Sequence, residues 1–300
     1  MSLSELNDPL PKTSVDNTNV EVFSLPAESK PFSVTEMEQI AKKLRRHIIT
    51  MIGKANSGHP GGSLSAVEIV TALYFGVLQH KPSDPQWIDR DRFILSKGHA
   101  APLLYAALAE CGYFPVTELT TLRQLNSRLQ GHVDRNITPG IEMSSGALGQ
   151  GLSHAIGIAL AGRLNSQQYK IYVMLGDGEC DEGQVWEGAM AAAHYKLDNL
   201  VAIVDNNDLQ IDGWNRDVMN LEPFNKKWES FGWNVIEADG HNLAQLISSF
   251  NQATLVKGRP TVIIAHTIKG KGVSFMENNI NFHGKAPTAT EVETALKELE

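Results

Sequence analysis

The sequence predicts an α/β fold, a mostly parallel sheet with helices on both faces, and three observations carry that expectation. Two short apolar, β-branched runs at 169–176 and 200–205 flank a segment of helical periodicity, as in a β-α-β unit. Further strand-like stretches near 92–95, 234–237 and 261–266 alternate with helical ones. A chain of 300 residues with 42% hydrophobic content can bury one large core and lies near the upper limit for a single domain.

Residues 1–32 hold four of the 13 prolines among Ser, Thr, Asn and Asp with little hydrophobic periodicity, and are expected to form a flexible extension. The folded domain is expected over 33–300. Ser33-Val-Thr-Glu36 matches a capping box, and Met37, Ile40, Ala41, Leu44, Ile48, Met51 and Ile52 follow as a helical stripe. The run Lys42-Lys43-Leu44-Arg45-Arg46 is expected to be that helix's wet face. Helices are then expected near 64–78, over 102–110 with Gly112 as its stop, over 151–164, over 182–196 and over 241–252. In the 182–196 helix, Val185, Trp186, Ala189, Met190, Ala193 and Leu197 recur at the spacing needed to pack on a sheet.

Composition excludes several classes. Lys plus Arg against Asp plus Glu is 26 against 34, a net −8 without a basic stripe, which argues against nucleic acid as a partner. The apolar stretch 66–78 is interrupted by Glu68 and Gly76 and is too short to span a membrane, and the N-terminus lacks a signal core, so a cytoplasmic protein is expected. Cys111 and Cys180 are too few for a disulfide framework; Cys180 is read as a spacer.

Asp177 and Asn207 end the two strands of the central unit, thirty residues apart. Parallel strands with a right-handed crossover bring both to one carboxyl edge, where they can share a ligand. A carboxylate and a carboxamide are hard oxygen donors but too few to close a cage. Magnesium, which takes part of its shell from phosphate oxygens, suits them. Gly178 and Gly183 would let backbone approach closely, and the helix start adds amide donors for the same phosphates. A calcium loop fails because Glu182 stands where glycine is needed and Gly188 where glutamate is needed, and Gly146–Gly151 has the wrong spacing for a dinucleotide fingerprint.

Gly-Asp-Gly at 176–178 followed thirty residues later by Asn207 resembles the thiamine-diphosphate enzymes. Lys54-Ala-Asn-Ser-Gly-His-Pro-Gly-Gly62, Leu95-Ser-Lys-Gly-His99, Ser145-Gly-Ala-Leu-Gly-Gln-Gly151 and Phe282-His-Gly-Lys-Ala-Pro287 narrow the resemblance to transketolases, from about residue 32 to the end. It implies a thiamine-diphosphate-binding fold with bound thiamine diphosphate and Mg2+. The metal would be held by Asp177, Asn207 and the Leu209 carbonyl. His99, Gly178, Glu179, Asn207 and His283 would contact the cofactor, and Gly146, Ala147 and Leu148 would hold its aminopyrimidine. His59, His283 and His132 would act on substrate, with His132 at the donor's terminal hydroxyl. Glu182 would face the other subunit's acidic group, or simply complement the dipole of its own helix. His241 and His266 are read as a turn and a strand end.

The implied reaction moves a two-carbon ketol unit from a ketose phosphate to an aldose phosphate. In the family the activating glutamate and the phosphate-binding arginines lie on a second, pyrimidine-binding domain. The resemblance therefore implies the N-terminal subunit of a split transketolase, paired with a separate C-terminal subunit, two copies of each. Two alternatives stand beside it: the α-subunit of another thiamine diphosphate enzyme such as a 2-oxoacid dehydrogenase, and a catalytically silent binding or regulatory subunit. Neither the sugar nor its pathway is fixed by these motifs.

Overall fold

Ser33 opens the first helix by the reciprocal contacts its spacing to Glu36 allows: the Ser33 hydroxyl accepts from the Glu36 amide, and the Glu36 carboxylate accepts from the Ser33 amide at 2.7 Å. The structure, a computed structural model, describes residues 32–300; all but the last residue of the extension expected over 1–32 lies outside the described residues. Helix α1 (Val34–Ala55) buries the expected stripe and stops at Asn56 in the left-handed conformation. The apolar stretch after it is broken into α2 (Pro60–Ser65), α3 (Val67–Ala72) and a π-turn over Leu73–Val77, where one helix was expected. Among the described residues no helix is long and apolar enough to cross a membrane.

Strand β1 (Arg92–Leu95) leads into α4 (Ala101–Glu110), and α5 (Gln150–Leu164) into β2 (Ile171–Gly176). The central unit continues through α6 (Gly183–His194) to β3 (Leu200–Asn206). Short helices α7 (Asn215–Val218) and α8 (Phe224–Ser230) precede β4 (Asn234–Asp239), α9 (Leu243–Leu255), β5 (Thr261–His266) and α10 (Ala289–Glu298). All pairings are parallel, in the order β1-β2-β3-β5-β4.

Alternation along the strands builds a core on each face, because successive side chains point to opposite sides. Tyr172, Met174, Val201, Ile203, Ile263 and Ala265 pack with residues of α1, α3, α4 and α9; Val173, Leu175, Ala202, Val204, Val262 and Ile264 pack with residues of α5, α6 and α8. The chain steps outward from β1 to β4 and then turns back to β5. The segment leaving β3 thus feeds the α8 face, while α9 and the C-terminal helix pack on the α1 face. Connections that leave adjacent strands for opposite faces open a crevice at their carboxyl ends, here between β3 and β5.

Two surface expectations are corrected. Arg45 is buried, its guanidinium bidentate to Glu68 at 2.5 and 2.8 Å, and Arg46 donates to the Leu296 carbonyl, because α10 and α3 cover the face read as wet. In α6, Met190 is exposed while Gly188 and Ala192 are buried, since α5 packs so closely that only small residues fit beneath it; a Cβ on Gly188 would stand 3.2 Å from Leu152.

Candidate active site

The carboxyl edge of β2 and β3 brings Asp177 and Asn207 together as their spacing implied. Asp177 Oδ2 accepts from the Asn207 and Asp208 amides at 2.8 and 2.5 Å, and its Oδ1 accepts from Gly178 at 2.8 Å. Burial, and then the nearby Asp205 carboxylate, still push its pKa up to about 6. A buried carboxylate so destabilised as an anion is a ready ligand for a cation. Among the described residues no three His, Cys, Asp or Glu side chains gather as a metal-binding group, so a hard cation here would take the rest of its shell from carbonyls, water or a ligand's oxygens.

Asp205, near the end of β3 and two residues before Asn207, shapes this edge. Wholly buried, it is paired with the Lys97 ammonium and accepts from Ser65 at 2.6 Å and Thr267 at 2.5 Å. Burial works against its anion, but Lys97 and these hydroxyls outweigh that and hold its pKa below the ordinary carboxylate value. Asn207 Nδ2 donates to Asp205 at 3.2 Å, which fixes the carboxamide with Oδ1 turned the other way, accepting from the Leu209 amide. The sequence reading assigns neither Lys97 nor Asp205 a role in the site. The one available signal was a lysine and an aspartate inside otherwise buried runs.

Lys269 was also missed as a site residue. Its ammonium, nearly inaccessible, donates to the Leu209 carbonyl at 2.6 Å, the carbonyl expected to serve the metal. Burial, offset by Asp177 and Asp205, brings its pKa down to about 8. Lys97 is neutralised by Asp205, whereas Lys269 is held by a carbonyl only, so Lys269 is the buried cation at the crevice between β3 and β5 that can attract an anion.

Four histidines from four loops meet above this crevice. The His59 ring lies 5.3 Å from His99, 6.1 Å from His132 and 5.9 Å from His283, and His99 is 5.4 Å from His283. Burial and then neighbouring cations lower all four pKa values, to about 4 for His59 (Arg123 foremost) and about 3 for His283 (Lys269 foremost). Neutral imidazoles result at pH 7. Buried Nδ1 atoms of His59 and His283 have no hydrogen-bond partner. Such atoms ask for a polar ligand. Arg123 reaches the same rim, donating to Ser57 Oγ at 3.1 Å.

The glycine loop completes the wall. Gly146 has φ +156° and a Cβ there would stand 3.3 Å from the His132 ring, while Ala147 is exposed and Leu148 half-buried. Gly149 at φ +81° brings the loop against Glu182, whose side chain makes no cap bond to α6. Gly178 is required by close approach, since a Cβ would sit 2.9 Å from Gln210; Gly183 is not, because nothing lies within 4 Å of it. Glu179, expected at the cofactor, has its carboxylate bound to protein donors: Ser96 Oγ and the Gly149 amide on Oε1, and the Gly176 amide at 3.0 Å on Oε2. It braces the glycine loop against the strand ends. Cys180 is buried with its thiol pKa pushed well up by burial, which suits an inert spacer.

These residues fit a magnesium diphosphate group with a ring system: two oxygen donors, a buried cation, unpartnered imidazole nitrogens and an exposed glycine loop. Comparison with known proteins supports the thiamine diphosphate part of this fit. Residues 36–299 match the family described as transketolase, thiamine diphosphate binding domain. A 6-deoxy-6-sulfo-D-fructose transketolase subunit of Clostridium sp. is 45% identical over 265 residues, covering 88% of this chain and 96% of the relative. An apulose-4-phosphate transketolase subunit of Actinobacillus succinogenes is 45% identical over 270 residues, covering 89% and 97%. The crystal structure of Campylobacter jejuni transketolase superposes with a TM-score of 0.84 at 32% identity, covering 89% of this chain but 43% of that one.

Proposed function

Because the chain belongs to the transketolase family through its thiamine-diphosphate-binding domain, we propose that it is the diphosphate-binding subunit of a two-component transketolase. The observation that carries this reading is the meeting of His59, His99, His132 and His283 over the Asp177–Asn207 edge, with imidazole nitrogens left unpartnered. Asp177, Asn207 and the Leu209 carbonyl would hold Mg2+; Lys269, His99 and Gly178 would face the diphosphate; Gly146, Ala147 and Leu148 would seat the aminopyrimidine. Bound there, thiamine diphosphate supplies the nucleophilic carbon and the electron sink for cleaving and re-forming a carbon–carbon bond.

The chain's own groups position substrate and move protons. Neutral His59 and His283 can hydrogen-bond ketose hydroxyls and accept a proton as the bond breaks. The negative charge of a diphosphate raises imidazole pKa values from the low ones set by burial and then by Arg123 and Lys269, toward the range useful for general acid–base work. His132 would meet the donor's terminal hydroxyl, and Arg123 the rim of the sugar site. The activating carboxylate and the remaining anion-binding residues would come from a pyrimidine-binding partner, in a complex with two copies of each chain in the cytoplasm. The two subunit relatives, spanned almost end to end by this chain, support the two-component form. Their names also support a ketose with an anionic terminus, phosphate or sulfonate, as donor.

Mixing this chain with the purified partner and following transfer from a panel of ketose phosphates and a sulfonated ketose tests the proposal. Transfer that requires both chains, Mg2+ and thiamine diphosphate is expected. Full transfer activity from this chain alone, free of partner by mass spectrometry, would refute the two-component reading.

A further inference from the structure

His241 lies in the Asp239-Gly240-His241-Asn242 turn between β4 and α9, on the crevice side of the sheet, yet its imidazole belongs to none of the groups above. Ile268 donates its backbone N–H to His241 Nε2 at 2.8 Å, and His241 Nδ1 lies 3.0 Å from Glu68 Oε2. A backbone amide can only donate, so Nε2 carries the lone pair and Nδ1 carries the proton that is given to Glu68. Both ring positions are thus fixed. Glu68 is in turn held by the Arg45 guanidinium, whose remaining Nε donates to the Lys271 carbonyl at 2.9 Å.

The buried Arg45–Glu68–His241 chain therefore grips one loop at two points, the Ile268 amide and the Lys271 carbonyl. Between those points stands Lys269, whose ammonium enters the site. Two features tie the loop to this grip. Gly272, at φ +93°, lets the backbone pass Arg45, where a Cβ would stand 2.8 Å from Nε; the Gly270 amide donates to the Gly61 carbonyl at 3.0 Å, joining the loop to the His59 segment.

We propose that His241 is a positioning residue for the cofactor's diphosphate: by accepting from the Ile268 amide it sets the backbone from which Lys269 projects into the crevice. This rests on the reading that Lys269 faces the diphosphate. A side chain that only donates cannot do this work, since the amide needs an acceptor at the Nε2 position.

Glutamine and asparagine separate this role from simple support of the Glu68 ion pair. The Gln carboxamide reaches the position of Nε2, and the Asn carboxamide that of Nδ1. His241→Gln keeps an acceptor for Ile268, whereas His241→Asn keeps only the partner of Glu68. Calorimetry of thiamine diphosphate binding to the full chain in saturating Mg2+ is the first measurement, and hydrogen exchange of the 266–272 peptide in the cofactor-free chain is the second. Expected are a Kd within about threefold of wild type for Gln and a rise of about tenfold or more for Asn, the scale of one lost buried hydrogen bond. Faster exchange at 266–272 should accompany Asn only. Equal affinities for Asn and wild type, equal losses for Gln and Asn, or a Gln variant that does not fold would each overturn the positioning role while the reading of the site stands. No binding by the wild-type chain would instead overturn that reading, and this inference with it.

Discussion

Replacing Lys269 by methionine should move stability and cofactor affinity in opposite directions. The residue is 3% exposed, and burial draws its pKa from 10.5 to about 8 against the opposing pull of Asp177. At about 1.4 kcal/mol per pH unit, holding that charge costs the cofactor-free fold about 3 kcal/mol at neutral pH. Methionine removes the cost but leaves the Leu209 carbonyl without its donor, a loss of about 1–3 kcal/mol. The net expectation is a cofactor-free chain as stable as wild type or about 2 kcal/mol more so. A folded pKa below the unfolded one means that the unfolded chain binds more protons between pH 8 and 10.5. Wild-type stability, relative to the variant, therefore rises through that window and the variant lacks the rise. Affinity goes the other way. A lost charge-assisted hydrogen bond to phosphate, about 1.5–3 kcal/mol, weakens thiamine diphosphate by about 10- to 150-fold. Urea unfolding at pH 7 and 10 and calorimetry of cofactor binding measure both. A variant destabilised by more than about 2 kcal/mol with unchanged cofactor affinity would show that Lys269 is a structural prop and not a ligand-facing cation.

Three further outcomes are expected. Asp177→Ala should abolish magnesium-dependent thiamine diphosphate binding in calorimetry while the chain stays folded, because the carboxylate is an unfavourable buried anion; undiminished binding would remove Asp177 from the metal site. His59→Ala and His283→Ala should each cut turnover of the reconstituted enzyme at least about 100-fold, within the range typical of acid–base groups, with melting temperatures close to wild type; collapse of folding would mark either ring as structural. Burial works against the Glu68 carboxylate, but His241 and Arg45 outweigh it and hold its pKa near 2, so this group's stabilisation is complete above pH 4.5 and is lost as pH falls toward 2. Acid unfolding of wild type and Glu68→Gln should differ by a slope in that window, absent from the variant; parallel curves would mean that the ion pair does not select the charged form.

The sequence by itself determined the parallel β-α-β centre, the placing of Asp177 and Asn207 on one edge, the capped start at Ser33 and most element positions. These follow from periodicity and from the fixed hand of the crossover, which act over neighbouring residues. It also yielded the four histidines, though only by resemblance to a family, since isolated imidazoles in glycine-rich loops carry no pattern of their own. Tertiary structure alone decided which charges are buried and with whom. Arg45 reads as the polar face of an amphipathic helix until α3 supplies Glu68 from 23 residues away. Lys97 and Asp205, 108 residues apart, become one buried pair only when β1 and β3 close on the same crevice. Lys269 enters the site, and Glu179 turns from it toward Ser96 and the 149 loop, for the same reason. A charge's pKa and partner depend on the dielectric and the groups brought to it by long-range packing, and no local spacing encodes either.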